Sequence, residues 1–64
     1  MRDDGEKLRQ IMEKEGITER ELAEALGCHR KTVAQYKRAF QFRRATAAKL
    51  AEALGVSQKR LTGV

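Results

Sequence analysis

The sequence predicts a small all-α domain, on three observations. The chain has 64 residues, of which 36 % are charged and none is proline, and it is rich in helix-forming Ala, Leu, Glu, Lys and Arg. No segment alternates apolar and polar residues as a half-buried strand does. A chain this short buries too little surface to divide its core, so we expect a single domain over residues 1–64, without a large enclosed active site.

Capping residues predict the first two helices. Asp3 or Asp4 is the expected N-cap of helix 1, and Gly16 is its expected end. Thr18 is followed three residues later by Glu21, which is the spacing of a capping box. Helix 2 is therefore expected to start sharply at Thr18.

A very short turn is predicted after helix 2. Gly27 ends that helix, and only Cys28 separates it from His29, the expected N-cap of a helix 3 that runs to about Arg38. Two helices joined by so short a turn containing glycine match the helix-turn-helix motif.

The remaining chain is predicted to form a loop and two more helices. The loop spans residues 39–43, helix 4 runs from about Arg44 to Leu54, and a short helix 5 follows with a serine at its cap. The hexapeptide Leu-Ala-Glu-Ala-Leu-Gly occurs at 22–27 and again at 50–55. We interpret the repeat as one good helix ending used twice, because the segment after the second copy is too short to present a long helix side.

Positive charge is concentrated in one part of the chain. Of the formal net charge of +5, residues 1–28 contribute −3, residues 29–44 contribute +6 and residues 45–64 contribute +2. The middle segment, residues 29–44, has six basic side chains and no acidic one, and we call it the basic segment. Such a segment is typical of a polyanion binder, although composition alone fits a solvated basic face equally well.

Helix 3 carries part of this charge on one side. A helical wheel at about 100° per residue separates the side with Arg30, Lys31, Ala34, Gln35 and Arg38 from the side with Thr32, Val33 and Tyr36. Arg and Lys can donate to guanine O6 and N7, Gln can bind adenine N6 and N7, and a small side chain can contact a thymine methyl group. An ordinary exposed face mixes charge signs, whereas this one lacks acidic residues, which favours DNA reading.

Two stretches of the chain carry a family resemblance. Residues 17–33 read Ile-Thr-Glu-Arg-Glu-Leu-Ala-Glu-Ala-Leu-Gly-Cys-His-Arg-Lys-Thr-Val, and residues 50–57 read Leu-Ala-Glu-Ala-Leu-Gly-Val-Ser. Both resemble the lambda-repressor-like, Cro and xenobiotic-response-element family of helix-turn-helix domains. The resemblance implies a compact five-helix lambda-repressor-like domain in which helices 2 and 3 form the helix-turn-helix. It also implies that Cys28 and Val33 are buried.

The resemblance and the wheel together give a set of expected contacts to double-stranded DNA. Base edges are expected to be read from helix 3 by His29, Arg30, Lys31, Ala34 and Gln35. Phosphates are expected to be contacted from the start of helix 2 and from the end of the basic segment, by Thr18, Lys37, Arg38, Arg43 and Arg44.

Three positions before helix 4, those of His29, Ala39 and Phe40, depart from the family pattern. His29 stands where the family has a small capping residue, and its imidazole either caps helix 3 or contacts DNA. Ala39 stands where glycine is common, so we expect the loop to avoid a left-handed conformation, which costs a residue with a Cβ roughly 1 kcal/mol or more. Phe42 falls at a core position, whereas Phe40 is either exposed to a partner or packed in a rearranged core.

Helix 4 is predicted to begin with two arginines. Arg43 and Arg44 stand where the family prefers a capping Ser or Thr, and the helix dipole disfavours cations there. A phosphate at this helix end would explain them, because both guanidinium groups and the unpaired backbone N–H groups attract it. Lys37 and Arg38 can reach the same DNA strand, although cations at their positions also suit the C-terminus of helix 3.

Other classes of function are disfavoured. The single cysteine cannot form an internal disulfide, and with one histidine it gives too few ligands for a zinc site, so no metal or other cofactor is expected. Without paired carboxylates or a Ser/His/Asp set, we expect neither an enzyme nor a small-molecule substrate. The apolar runs fall far short of the roughly 20 residues that cross a bilayer, which predicts a soluble cytoplasmic protein with no membrane partner.

The sequence therefore predicts sequence-specific binding of double-stranded DNA, by a natural transcription regulator or by a redesigned member of the family. The alternative is a protein-interaction module on the same fold, such as an antitoxin or an assembly domain. Only Val56, Leu61 and Val64 are apolar after helix 4. We therefore expect a monomer, or a weak homodimer that forms on DNA.

Overall fold

Five α-helices make up the described part of the molecule. The computed structural model describes residues 3–62, and within that range there is no β-strand. The helices are α1 (Asp4–Glu15), α2 (Glu19–Leu26), α3 (Arg30–Lys37), α4 (Arg44–Leu54) and α5 (Gln58–Thr62). The predicted all-α fold is confirmed. No helix within residues 3–62 has the length and apolar character needed to cross a membrane.

The starts of α1 and α2 follow the predicted capping pattern. Asp3 rather than Asp4 is the N-cap of α1, and its Oδ1 accepts a hydrogen bond from the Glu6 N–H at 2.9 Å. At α2, Thr18 Oγ1 accepts from the Glu21 N–H at 3.1 Å, and Glu21 Oε1 accepts from the Thr18 N–H at 3.0 Å, which completes the capping box. These bonds, the one from the Thr18 backbone above all, hold the pKa of Glu21 below its ordinary value.

The two copies of the repeated hexapeptide end α2 and α4 in the same way. Gly27 and Gly55 adopt left-handed conformations with φ of 69° and 72°. In each copy the N–H of the next residue donates, at 3.0 Å, to the carbonyl four residues before the glycine. The repeat is therefore one helix ending used twice, and the segment after the second copy forms only the five-residue α5, against eight residues in α3.

The core is a cluster to which every helix contributes. Its fully buried members include Leu8 of α1, Leu22 of α2, Val33 of α3, Leu50 of α4 and Leu61 of α5. α3 packs against α1 and α2, and α4 packs against α2 and α5. Since burying an aliphatic side chain of this size contributes about 1.5–3 kcal/mol, Val33 fixes which side of α3 faces inward.

The loop between α3 and α4 avoids the left-handed conformation, as the sequence predicts. α3 ends at Lys37, Arg38 follows at φ −104° and ψ −1°, and no non-glycine residue within 3–62 has a positive φ. Ala39, which stands where the family has glycine, is therefore unstrained.

The N-terminus of α1 is hydrogen-bonded to this loop. The Asp4 N–H donates to Phe40 O at 2.9 Å, and the Gly5 N–H donates to Ala39 O at 2.8 Å. The Phe42 N–H donates to Asp4 Oδ2 at 2.8 Å. We call these three hydrogen bonds the α1–loop clamp.

Candidate nucleic-acid interface

α3 turns its predicted reading side outward. Val33 on the opposite side is fully buried, and Thr32 and Tyr36 beside it are half-buried. The residues of the reading side are exposed except for half-buried Ala34, and the exposed ones are His29, Arg30, Lys31, Gln35 and Arg38. All the candidate base-reading residues therefore belong to α3 and its N-cap.

His29 caps α3. Its Nδ1 accepts a hydrogen bond from the Lys31 N–H at 3.1 Å, and its backbone is extended at φ −79° and ψ 146°. The sequence left open whether this imidazole caps the helix or contacts DNA, and the structure shows the cap. Because Nδ1 is the acceptor, the ring proton is on Nε2, and the exposed ring retains a donor that suits a phosphate or base oxygen.

Arg20 joins the candidate interface although it was not among the phosphate contacts expected from the sequence. Together with His29 and Arg30 it lines a shallow groove between α2 and α3. Its side chain is 82 % exposed, and its Nε lies 3.4 Å from Glu24 Oε1. Because such a surface ion pair is weak, Arg20 can release Glu24 and bind another anion instead. The signal that could have identified it is a cation in the first turn of α2, where the family contacts the DNA backbone.

Cys28 corrects one implication of the family resemblance. It is half-buried and packs against the core rather than lying inside it. The reason is its place in the turn: its N–H donates to Ala23 O at 3.0 Å, and its side chain forms part of the wall of the groove between α2 and α3. Val33, the second residue of that implication, is fully buried as expected.

The start of α4 is cationic and has no side-chain cap. Arg43 is the N-cap residue, it forms no capping hydrogen bond, and the first turn of α4 contains no acidic residue. Arg43 and Arg44 are both exposed. Two guanidinium groups thus stand beside backbone N–H groups that lack side-chain acceptors, which is the arrangement that attracts a phosphate.

The start of α2 is less suited to an anion. Its capping box occupies the Thr18 and Glu21 N–H groups, and its first turn holds Glu19 and Glu21. Thr18 is exposed, and because its Oγ1 serves as an acceptor toward the helix, the hydroxyl proton remains available to a phosphate oxygen.

Lys37 is partly engaged within the protein. It is half-buried, and its Nζ lies 3.9 Å from Glu19 Oε2, so it forms an ion pair between α3 and α2. Its backbone carbonyl accepts a hydrogen bond from the Arg9 guanidinium group. Arg38, by contrast, is exposed. Of the two cations at the end of α3, Arg38 is therefore the better placed for a phosphate.

The comparison with protein families decides what kind of domain this is. The model of the Helix-turn-helix family matches residues 8–61, which include the whole of α2, α3 and α4. The chain belongs to this family. Its resemblance to the xenobiotic-response-element and lambda-repressor-like type is thereby confirmed, and the family is one of DNA-binding regulators.

A solved structure supports the same conclusion. This helix-turn-helix domain is similar to the restriction-modification controller protein C.AhdI from Aeromonas hydrophila, with 27 % sequence identity and a TM-score of 0.79. The match covers 91 % of this chain and 89 % of that one. Comparison with curated proteins gave no match. The five-helix lambda-repressor-like fold is confirmed.

Proposed function

We propose that this helix-turn-helix domain binds double-stranded DNA sequence-specifically, with α3 in the major groove, and acts as a transcription regulator. One observation carries the proposal: the exposed side of α3 has no acidic residue and is followed along the chain by the uncapped, cationic start of α4. The second feature does not stabilise the folded chain, because cations at a helix start oppose the helix dipole. The exposed side of α3 and the cationic start of α4 both suit DNA, a polyanion whose base edges are contacted through its grooves.

Base reading is assigned to the exposed side of α3. Arg30, Lys31 and Gln35 have the donors and acceptors that distinguish guanine and adenine edges in the major groove. Ala34 is small and half-buried, so it allows α3 to approach the bases closely. His29 adds a donor at the start of the helix.

Phosphate anchoring is assigned to two parts of the chain. The start of α2 provides Thr18 and Arg20, and the segment after α3 provides Arg38, Arg43 and Arg44, all of them exposed. Contacts to phosphates fix the register of the reading helix without carrying base identity. Lys37 contributes less, because its ion pair with Glu19 must loosen first.

The regulatory role and the oligomeric state are supported by separate observations. The similar protein C.AhdI is a restriction-modification controller, which favours control of gene expression for this chain also. Of the three apolar residues after helix 4, Leu61 is buried in the core, Val56 is half-buried, and Val64 lies outside the described residues. Little apolar surface is therefore offered by Val56 and Leu61, which favours a monomer that pairs weakly on DNA.

A binding selection tests the proposal. A randomised duplex library is expected to yield a preferred site, and Arg30→Ala or Gln35→Ala should weaken binding to that site by about 1–3 kcal/mol and relax preference at one or two base pairs. Arg44→Ala should weaken binding to preferred and scrambled duplexes alike, because phosphates carry no base identity. Fluorescence anisotropy of each variant on both duplexes measures the difference.

Lys49→Ala is the matched control, since Lys49 is an exposed cation of α4 that lines a groove with Ala25 and Leu26 of α2. It should change binding much less than Arg44→Ala. An unchanged site preference in Arg30→Ala and Gln35→Ala would contradict the assignment of α3. Failure of the unmodified chain to bind any duplex would favour the protein-interaction alternative.

A further inference from the structure

The α1–loop clamp satisfies the hydrogen bonds of two chain segments at once. The first four N–H groups of an α-helix have no partners within that helix. In α1, the Glu6 and Lys7 N–H groups donate to Asp3, and those of Asp4 and Gly5 donate to the loop carbonyls at 2.9 and 2.8 Å. The loop after α3 therefore takes up the donors that α1 cannot satisfy by itself.

Asp4 adds its side chain to this arrangement. It is fully buried, although it is the first residue of α1 and Asp3 already supplies the cap. A buried carboxyl group is costly unless it is hydrogen-bonded. Its Oδ2 accepts from the Phe42 N–H at 2.8 Å, across 38 positions of sequence. The bond holds the backbone immediately before Arg43, the first residue of the cationic α4 start.

Gly5 and Arg9 show how closely α1 and the end of α3 approach. A Cβ at Gly5 would lie 2.5 Å from Lys37 O and 2.6 Å from Ala39 O, which no side chain tolerates without a backbone shift. The Arg9 guanidinium group donates to the same Lys37 carbonyl. The path from α3 to α4 is therefore fixed against α1 at Lys37, Ala39, Phe40 and Phe42.

We propose that Asp4 is a positioning residue for DNA binding: its bond to the Phe42 N–H sets Arg43 and Arg44 at the distance from α3 that lets both elements engage one duplex. The inference rests on the proposed function. Groups that must meet a rigid ligand together have to be held to within about half an ångström. Asp4 itself is fully buried, so its side chain has no exposed surface for a DNA contact. Its effect is transmitted through the loop backbone.

The test compares Asp4→Asn with Asp4→Ala on a fluorescein-labelled duplex of random sequence. Both variants change the net charge equally, but only asparagine keeps an oxygen that can accept from the Phe42 N–H. We expect Asp4→Ala to bind about fivefold more weakly than Asp4→Asn, with a salt slope smaller by about one unit, the contribution of one phosphate contact. Thermal unfolding followed by circular dichroism defines a temperature at which both are folded.

Repeating the comparison of Asp4→Asn with Asp4→Ala in chains that carry further substitutions separates a positioning role from an effect on general stability. In a chain that also carries Arg43→Ala and Arg44→Ala, the difference between Asp4→Asn and Asp4→Ala should vanish. In a chain that carries Lys49→Ala instead, it should persist. If Asp4→Ala does not fold, a synthetic chain with an ester in place of the Gln41–Phe42 amide removes the same N–H, keeps every side chain, and should bind as weakly.

The outcomes are distinct. Equal binding by Asp4→Asn and Asp4→Ala, or a difference that survives the removal of Arg43 and Arg44, would overturn the positioning role and leave the proposed function intact. If the unmodified chain binds no duplex, the proposed function fails and the positioning role fails with it. Loss of the difference only when Arg43 and Arg44 are absent supports the inference.

Discussion

Phe40 and Phe42 lie two positions apart and have opposite environments. Phe42 is 6 % exposed and packs edge-on against Tyr36, with ring centroids 6.0 Å apart. Phe40 is 55 % exposed. The core placement of Phe42 is confirmed, and of the two alternatives for Phe40 the structure shows the exposed one. A loop has no helical periodicity, so its tertiary contacts, the hydrogen bonds to α1 and the packing of Phe42 in the core, decide which ring turns inward.

Truncation of the two rings should therefore have very different effects on stability. Phe42→Ala should lower the free energy of unfolding by about 3–5 kcal/mol, since it leaves a cavity in the core of a small domain. Phe40→Ala should change it by no more than about 0.5 kcal/mol. Urea denaturation of both variants measures the contrast. A large loss in Phe40→Ala would mean that this ring is packed in solution.

His29 combines two properties that substitutions can separate. Nδ1 caps α3, and the proposed DNA contact uses Nε2. His29→Ser should keep the cap and the stability, whereas His29→Ala should lose about 0.5–2 kcal/mol of stability. Both variants should lose the DNA contact equally. Thermal unfolding and duplex titration of the same samples test this, and full DNA affinity in His29→Ser would reduce the role of His29 to capping.

At the scale of the helices, α2 and α4 differ in how their N-termini are completed. α2 has a closed capping box and acidic residues in its first turn, and α4 has an arginine N-cap with no capping hydrogen bond. The two helices nevertheless end in the same way at their glycines. α4 therefore gives up local stability at one end, and the proposed phosphate contact supplies the reason.

Arg43→Ser should give α4 a side-chain N-cap and remove one cation from its start. Serine is a preferred N-cap and should raise the free energy of unfolding by about 0.5–1 kcal/mol. The same change should weaken binding to any duplex, because one guanidinium group is lost at the proposed phosphate site. Chemical denaturation and anisotropy together measure both effects. A variant that is more stable and binds DNA equally well would refute the assignment of Arg43 to a phosphate.

For the whole molecule, the distribution of charge predicts the form of DNA binding. The basic segment holds +6 while residues 1–28 hold −3, so attraction to a duplex is directed to one part of the chain. With about four to six phosphate contacts, log K should fall against log salt with a slope of roughly −4 to −5. Titration at several salt concentrations measures that slope. A flat response would contradict the proposed use of the basic segment.

Local sequence determined most of the helix boundaries and the outward side of α3. The capping box at Thr18 and the turn glycine Gly27 act within a few residues, so their outcome does not depend on the rest of the fold. Helical periodicity likewise required Val33 to face opposite Lys31 and Gln35. These features give the architecture of a helix-turn-helix domain and its candidate reading side.

Tertiary structure alone decided the interactions between distant parts of the chain. From the sequence Asp4 is a possible N-cap, but in the structure it is buried and bonded to Phe42, 38 positions away. From the sequence Lys37 is an expected phosphate contact, but in the structure it forms an ion pair with Glu19 of another helix. No local preference specifies such pairs, because their energy depends on which surfaces the packed helices bring together. That packing determines the path of the loop after α3, and with it the position of the arginines that begin α4.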